Sequence, residues 1–170
     1  DTGAYKRMWG AYGSKPDDTL DNGPYDPAAP PAKQFRNPVH CADVSNDGFV
    51  YVCDRLNDRL QVFRTDGTFV KEVVVSKDTP AGRAVGGAGN GAVWRVAFSP
   101  DSPQKYLFVG NSETSKIWIL PRSDLVVVGS FDASGLHHIG GADSKGNLYT
   151  TGPQRLLFKG VAATAASKQI

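Results

Sequence analysis

The chain has 170 residues, 40% hydrophobic and 21% charged, the balance of a folded globular body rather than a disordered one. Its net charge of +2 comes from 19 basic and 17 acidic residues scattered along the chain. Without a Lys/Arg block it lacks the electrostatic footprint of a nucleic-acid binder. No apolar run approaches the roughly 18 residues of a membrane-spanning helix, and 19 Gly with 11 Pro fit a turn-rich all-β architecture.

In chain order, residues 1–13 (DTGAYKRMWGAYG) read as the outer strand of an incomplete unit. Asp1-Thr2-Gly3-Ala4-Tyr5-Lys6 parallels the later Thr65-Asp66-Gly67-Thr68-Phe69-Val70-Lys71, so the sequence is expected to start in mid-repeat. Residues 14–34 are Pro/Asp-rich with no strand or helix period and read as a surface loop. Residues 35–75 carry four strands, near 40–45, 49–54, 59–64 and 69–75, joined by hairpin turns at Asp47-Gly48 and Asp66-Gly67. Residues 76–92 form a Gly-rich connector that lacks a phosphate-loop pattern. A second four-stranded unit, 93–131, follows with strands near 93–99, 105–110, 116–120 and 125–131. An incomplete third, 136–160, has strands near 138–143, 147–151 and 155–159, and residues 161–170 form a small, polar tail.

Units of roughly 40 residues holding four short strands are the signature of β-propeller blades. The predicted fold is therefore all-β: a partial propeller of three to four blades from an expected six-bladed ring. Aromatic residues Tyr51, Phe63, Phe98, Phe108 and Trp118 fall on the strand period and are expected in the core. Asp54 and Asp58 are expected to satisfy turn backbone. Pairing Ser45 with Phe49 sets Cys41 opposite Cys53. Two buried thiols and a cross-strand disulfide both suit that register, the latter implying an oxidising compartment.

Residues 35–72 closely resemble an NHL repeat. The family's pattern is met by Phe35, Pro38, Asp47-Gly48, Val50-Tyr51-Val52-Cys53-Asp54, Asn57, Arg59-Leu60, Phe63 and Asp66-Gly67. The match is looser in the second blade, where Gly110-Asn111 replaces the Asp, and in the third, where Thr151-Gly152-Pro153 does. Within that group the Pro-His and Asp-Arg motifs are similar to those of the peptidyl-α-hydroxyglycine α-amidating lyases, six-bladed propellers in which three His hold zinc. That resemblance implies zinc as cofactor, His40 and His137 or His138 as metal ligands, and Arg55 as a catalytic residue. It also implies a bacterial, extracytoplasmic (periplasmic or secreted) protein. The family's calcium-site Asp is replaced here by Ile139, so calcium is not expected, and the segment carrying the family's Tyr has no counterpart.

All three His precede or open a blade's innermost strand, and Trp94-Arg95 holds that place in the second blade. Inner strands line a propeller's channel, so these side chains are expected to converge, as imidazoles do at catalytic zinc. Two functions follow: a metal-dependent lyase acting on a C–N bond, or a non-catalytic propeller scaffold that binds a protein or ligand through its loops. Either requires a partner for the open arc: the missing half of the propeller, a second chain, or a homodimer copy.

Overall fold

The computed structural model describes residues 2–84, 87–151 and 157–158. They form antiparallel sheets with almost no helix. The first sheet is a meander of β1 (Cys41–Val44), β2 (Phe49–Asp54), β3 (Arg59–Arg64) and β4 (Phe69–Val74). A hairpin of β5 (Ala81–Ala84) and β6 (Gly87–Asn90) follows. The second meander comprises β7 (Arg95–Phe98), β8 (Tyr106–Asn111), β9 (Lys116–Pro121) and β10 (Gly129–Asp132). The third sheet joins β11 (His138–Ala142), β12 (Leu148–Thr151) and β13 (Leu157–Phe158). No helix among the described residues is long and apolar enough to cross a membrane.

Strand alternation explains how these sheets stack. In β8, Leu107 and Val109 point into a core shared with Tyr51, Cys53, Leu60 and Val62 of the first sheet. Phe108, between them, points the other way, into a core with Leu136, just before the third sheet, and Ile139 and Leu148 within it. One strand thus feeds two cores because successive side chains leave opposite faces. The inner strands lie side by side, β1 touching β7 and β7 touching β11. Four-stranded meanders packed face to face with their first strands innermost are the blades of a partial β-propeller.

Of the expected core aromatics, Tyr51, Phe63 and Phe108 are buried, while Phe98 and Trp118 are partly buried against the first core. Cys41 and Cys53 are Cα partners across β1 and β2 and form a disulfide.

Three expectations are corrected. Residues 2–13 form no outer strand, and their only regular element is a 3-10 turn, Ala11–Gly13. This segment instead plugs the far face of the first sheet. Trp9 and Phe35 pack on Phe63 with ring centres 6.0 and 6.2 Å apart, and Tyr12 meets Phe69 edge-on at 5.1 Å. The Gly-rich stretch is not a bare connector, because β5 and β6 pair within it. The fourth strand of the second sheet starts at Gly129 rather than 125. Leu125 adopts a left-handed backbone (φ 61) and turns inward to become buried, which breaks the ladder before it can form. The tail at 161–170 and most of the third blade's last strand lie outside the described residues.

A charged network ties the first blade to the segment before it. Asp54, fully buried, accepts from Arg59 Nε at 2.7 Å, Asn57 Nδ2 at 2.7 Å and the Arg36 backbone N–H at 3.0 Å. Arg59 also donates to Tyr12 Oη and the Gln34 carbonyl. Asp54 therefore does more than satisfy a turn: it anchors a buried ion pair. In the second blade Asn111 takes its place, accepting from the Thr114 N–H and donating to Thr79.

Candidate functional site

Each blade enters its inner strand in the same way. The N–H of His40 donates to the Cys53 carbonyl at 2.9 Å, although Cys53 is the Cα partner of Cys41. Trp94 N–H donates to Gly110 O at 2.9 Å, with Arg95 opposite Gly110. His137 N–H donates to Thr151 O at 2.8 Å, with His138 opposite Thr151. Two consecutive residues thus face one, the arrangement of a β-bulge, which re-aims side chains at a strand's end. Ordinary alternation would send His137 and His138 to opposite faces. Here their rings lie 4.4 Å apart, with the two Nδ1 atoms at 2.9 Å.

The blades converge on Trp94. Its indole meets His40 at 5.3 Å, His137 at 5.7 Å and His138 at 5.6 Å between ring centres, and His40 and His138 lie face to face at 5.1 Å. Trp94 Nε1 donates to the Gly91 carbonyl at 2.7 Å, which fixes the indole. Gly91 has φ +74, and a Cβ there would sit 2.0 Å from the Arg55 carbonyl oxygen, so only glycine lets this turn pass. Arg55 leaves the end of β2 and lays its guanidinium over Trp94, 4.5 Å from the ring centre, a cation–π contact. Its Nε is buried with no hydrogen-bond partner.

Electrostatics favour the neutral forms of His40 and His138. Burial pushes the His40 pKa below its ordinary value, and Arg55, Arg95 and His137 add to that, while the Trp94 carbonyl opposes it. Burial likewise lowers His138, reinforced by His137, His40 and both arginines. Two residues of this surround escape the sequence reading: Asp43, which pairs with Arg95 at 3.0 Å, and Glu113, whose charge acts on Arg55. Asp43 was within reach of strand alternation, since it lies two residues beyond Cys41 on β1. Glu113 gave no signal.

Zinc, which the NHL resemblance implies, needs imidazole lone pairs that meet at one point about 2 Å from each donor nitrogen. The donor chemistry is suitable, and His40 has one feature of a ligand. Its Nδ1 lies 2.5 Å from the Trp94 carbonyl, leaving Nε2 free. The His40 and His138 rings, however, are within 8° of parallel, so their lone pairs lie in separate planes. Among the described residues no group of three or more His, Cys, Asp or Glu side chains is arranged to hold a metal ion. The residues as placed do not fit zinc.

No protein-family model and no curated protein matches the sequence. Among the solved structures similar to it, three have a TM-score of 0.49 each. The RRP9 WD40 repeats share 17% identity over 66% of this chain and 32% of theirs. U3-55K shares 19% over 66% and 32%, and the glutaminyl cyclase of Myxococcus xanthus 17% over 74% and 56%. This chain spans from about a third to just over half the length of those chains. At such identities the likeness is one of fold alone. The propeller assignment rests on the chain's own sheets.

Proposed function

We propose that the chain is a binding propeller whose inner edge takes a small ligand through His40, His137, His138 and Trp94. The observation that supports this is the meeting of three imidazoles, carried by two separate blades, on one indole from the blade between them. The neutral His40 and His138 rings each offer a donor and an acceptor, Trp94 offers an apolar face, and Arg55 supplies a cation whose Nε has no partner. The Cys41–Cys53 disulfide supports an oxidising, extracytoplasmic compartment. Further blades, in a longer chain, a partner chain or a second copy, complete the ring in this reading.

A second reading, a metal-dependent C–N lyase of the NHL type, is favoured by one observation: His40 Nδ1 is held by a backbone carbonyl, leaving Nε2 for a ligand's role. It requires the His138 ring to rotate out of its parallel stack. A cobalt(II) titration followed by visible absorption separates the two. Stoichiometric tetrahedral cobalt, lost in His40→Ala, supports the lyase reading, whereas no cobalt binding leaves ligand binding alone. Histidine-selective NMR during a screen of small molecules tests the first reading. Shifts confined to His40, His137 and His138 support it, and a screen in which those signals never move overturns it.

A further inference from the structure

A cavity lies in the outer cleft between the first two blades and shares no lining residue with the imidazole cluster. It encloses about 460 Å³, within the range of small-molecule sites. Phe49, Tyr51 and Val70 give it an apolar floor on the first blade, with Lys71 beside them. Lys105 and Arg122 face them from the second blade.

The cations here are unevenly matched. Arg122 is consumed by structure: it donates to Tyr51 Oη at 2.8 Å, to the Pro103 carbonyl at 2.8 Å and to Asp47. Lys71 Nζ donates to two neutral acceptors, the carbonyls of Arg122 and Ser123. An ammonium has three donors, so one stays open. Among the described residues neither Lys71 nor Lys105 forms an ion pair. Asp124 acts on Lys71 and Asp101 on Lys105 at longer range. With Arg64 over the Phe49 ring, four cations stand against the four carboxylates of Asp47, Asp66, Asp101 and Asp124, and the two lysines line the cleft without an ion pair.

We infer that this cleft binds a small amphipathic carboxylate, its apolar body on Phe49, Tyr51 and Val70 and its anionic head on Lys71 and Lys105. The two lysines that form no ion pair set the head group, and the size of the cavity sets a small molecule rather than a peptide segment. A partly buried ammonium is also a stronger partner than an exposed one, because less water competes for it. The site is independent of the imidazole cluster.

The test is calorimetric titration of the full chain with 2-naphthoate and with its neutral counterpart, 2-naphthylmethanol. Saturable naphthoate binding is expected, about tenfold weaker for the alcohol and for Lys71→Met, the loss expected of one charge-assisted hydrogen bond. Binding to His40→Ala should be unchanged. Should Lys71→Met fail to fold, Lys105→Met decides, with a smaller loss expected because that side chain is more exposed. Absence of saturable binding, equal affinity for the alcohol, or undiminished binding in the lysine variants overturns the inference.

Discussion

Replacing Asp54 with alanine is expected to destabilise the protein by about 3–5 kcal/mol, the cost of stranding a buried partner charge. Arg59 is 1% exposed and Asp54 is fully buried, so water cannot take over the lost contact, and Arg59 keeps only its longer 3.6 Å pair with Glu72. The substitution also frees Asn57 Nδ2 and the Arg36 N–H, both of which end on the same carboxylate. Urea unfolding measures the loss. Combining Asp54→Ala with Arg59→Met should recover part of it, since removing both charges leaves only the partly exposed Glu72 without its cation. A single-variant loss below about 1 kcal/mol, the range of exposed ion pairs, would show that water reaches this pair.

Asp58→Asn should act in the opposite direction, and only above mild acidity. Asp58 is fully buried in a left-handed turn (φ 51), its Oδ1 accepts the Ala92 N–H at 2.6 Å, its Oδ2 makes no close hydrogen bond, and the Tyr25 hydroxyl lies near the carboxylate. Burial raises its pKa from 3.8 to about 7, with Asp54 and Asp78 adding to the rise and the Ala92 N–H and Tyr25 hydroxyl opposing it. The sign follows from linkage. Below pH 4 the side chain is protonated in both states and contributes no pH-dependent penalty. Between pH 4 and 7 the unfolded chain sheds the proton while the folded one holds it, so folding weakens as pH rises. Across a shift of this size the penalty reaches roughly 4 kcal/mol by pH 8. Asparagine keeps the acceptor, tolerates the left-handed backbone and carries no charge. Thermal unfolding of both proteins from pH 4 to 8 should therefore show the variant gaining on the native chain across that window. A constant difference would contradict a buried, proton-holding Asp58.

The blades were legible because their signal is local. The Asn46-Asp47-Gly48 turn fixes the hairpin, and counting back from Ser45–Phe49 sets Cys41 against Cys53 with no knowledge of the fold. Other features depend on distant neighbours. Trp9 and Tyr12 lie in a stretch that parallels a strand, yet Phe63 and Phe69 draw their rings onto the first sheet instead. Leu125 opens an apolar run of β-branched residues but is pulled inward by the first core. At the candidate site, sequence spacing placed His40, Trp94 and His137 at matching positions. It did not reveal that a bulge turns His137 and His138 toward the same indole. Nor did it show that Asp43 would hold Arg95, because that pair depends on the packing of β1 beside β7.

The central claim is that the inner edges of separate blades bring their imidazoles into contact. The most direct measurement is an NMR titration of the three His rings in the native chain and in His40→Gln. Contact predicts His40 and His138 titrating below an ordinary histidine, and His138 moving upward once the His40 charge is gone, because His40 contributes to its depression. A His138 curve at the ordinary position, unchanged by the loss of His40, would mean that these blades do not meet as described.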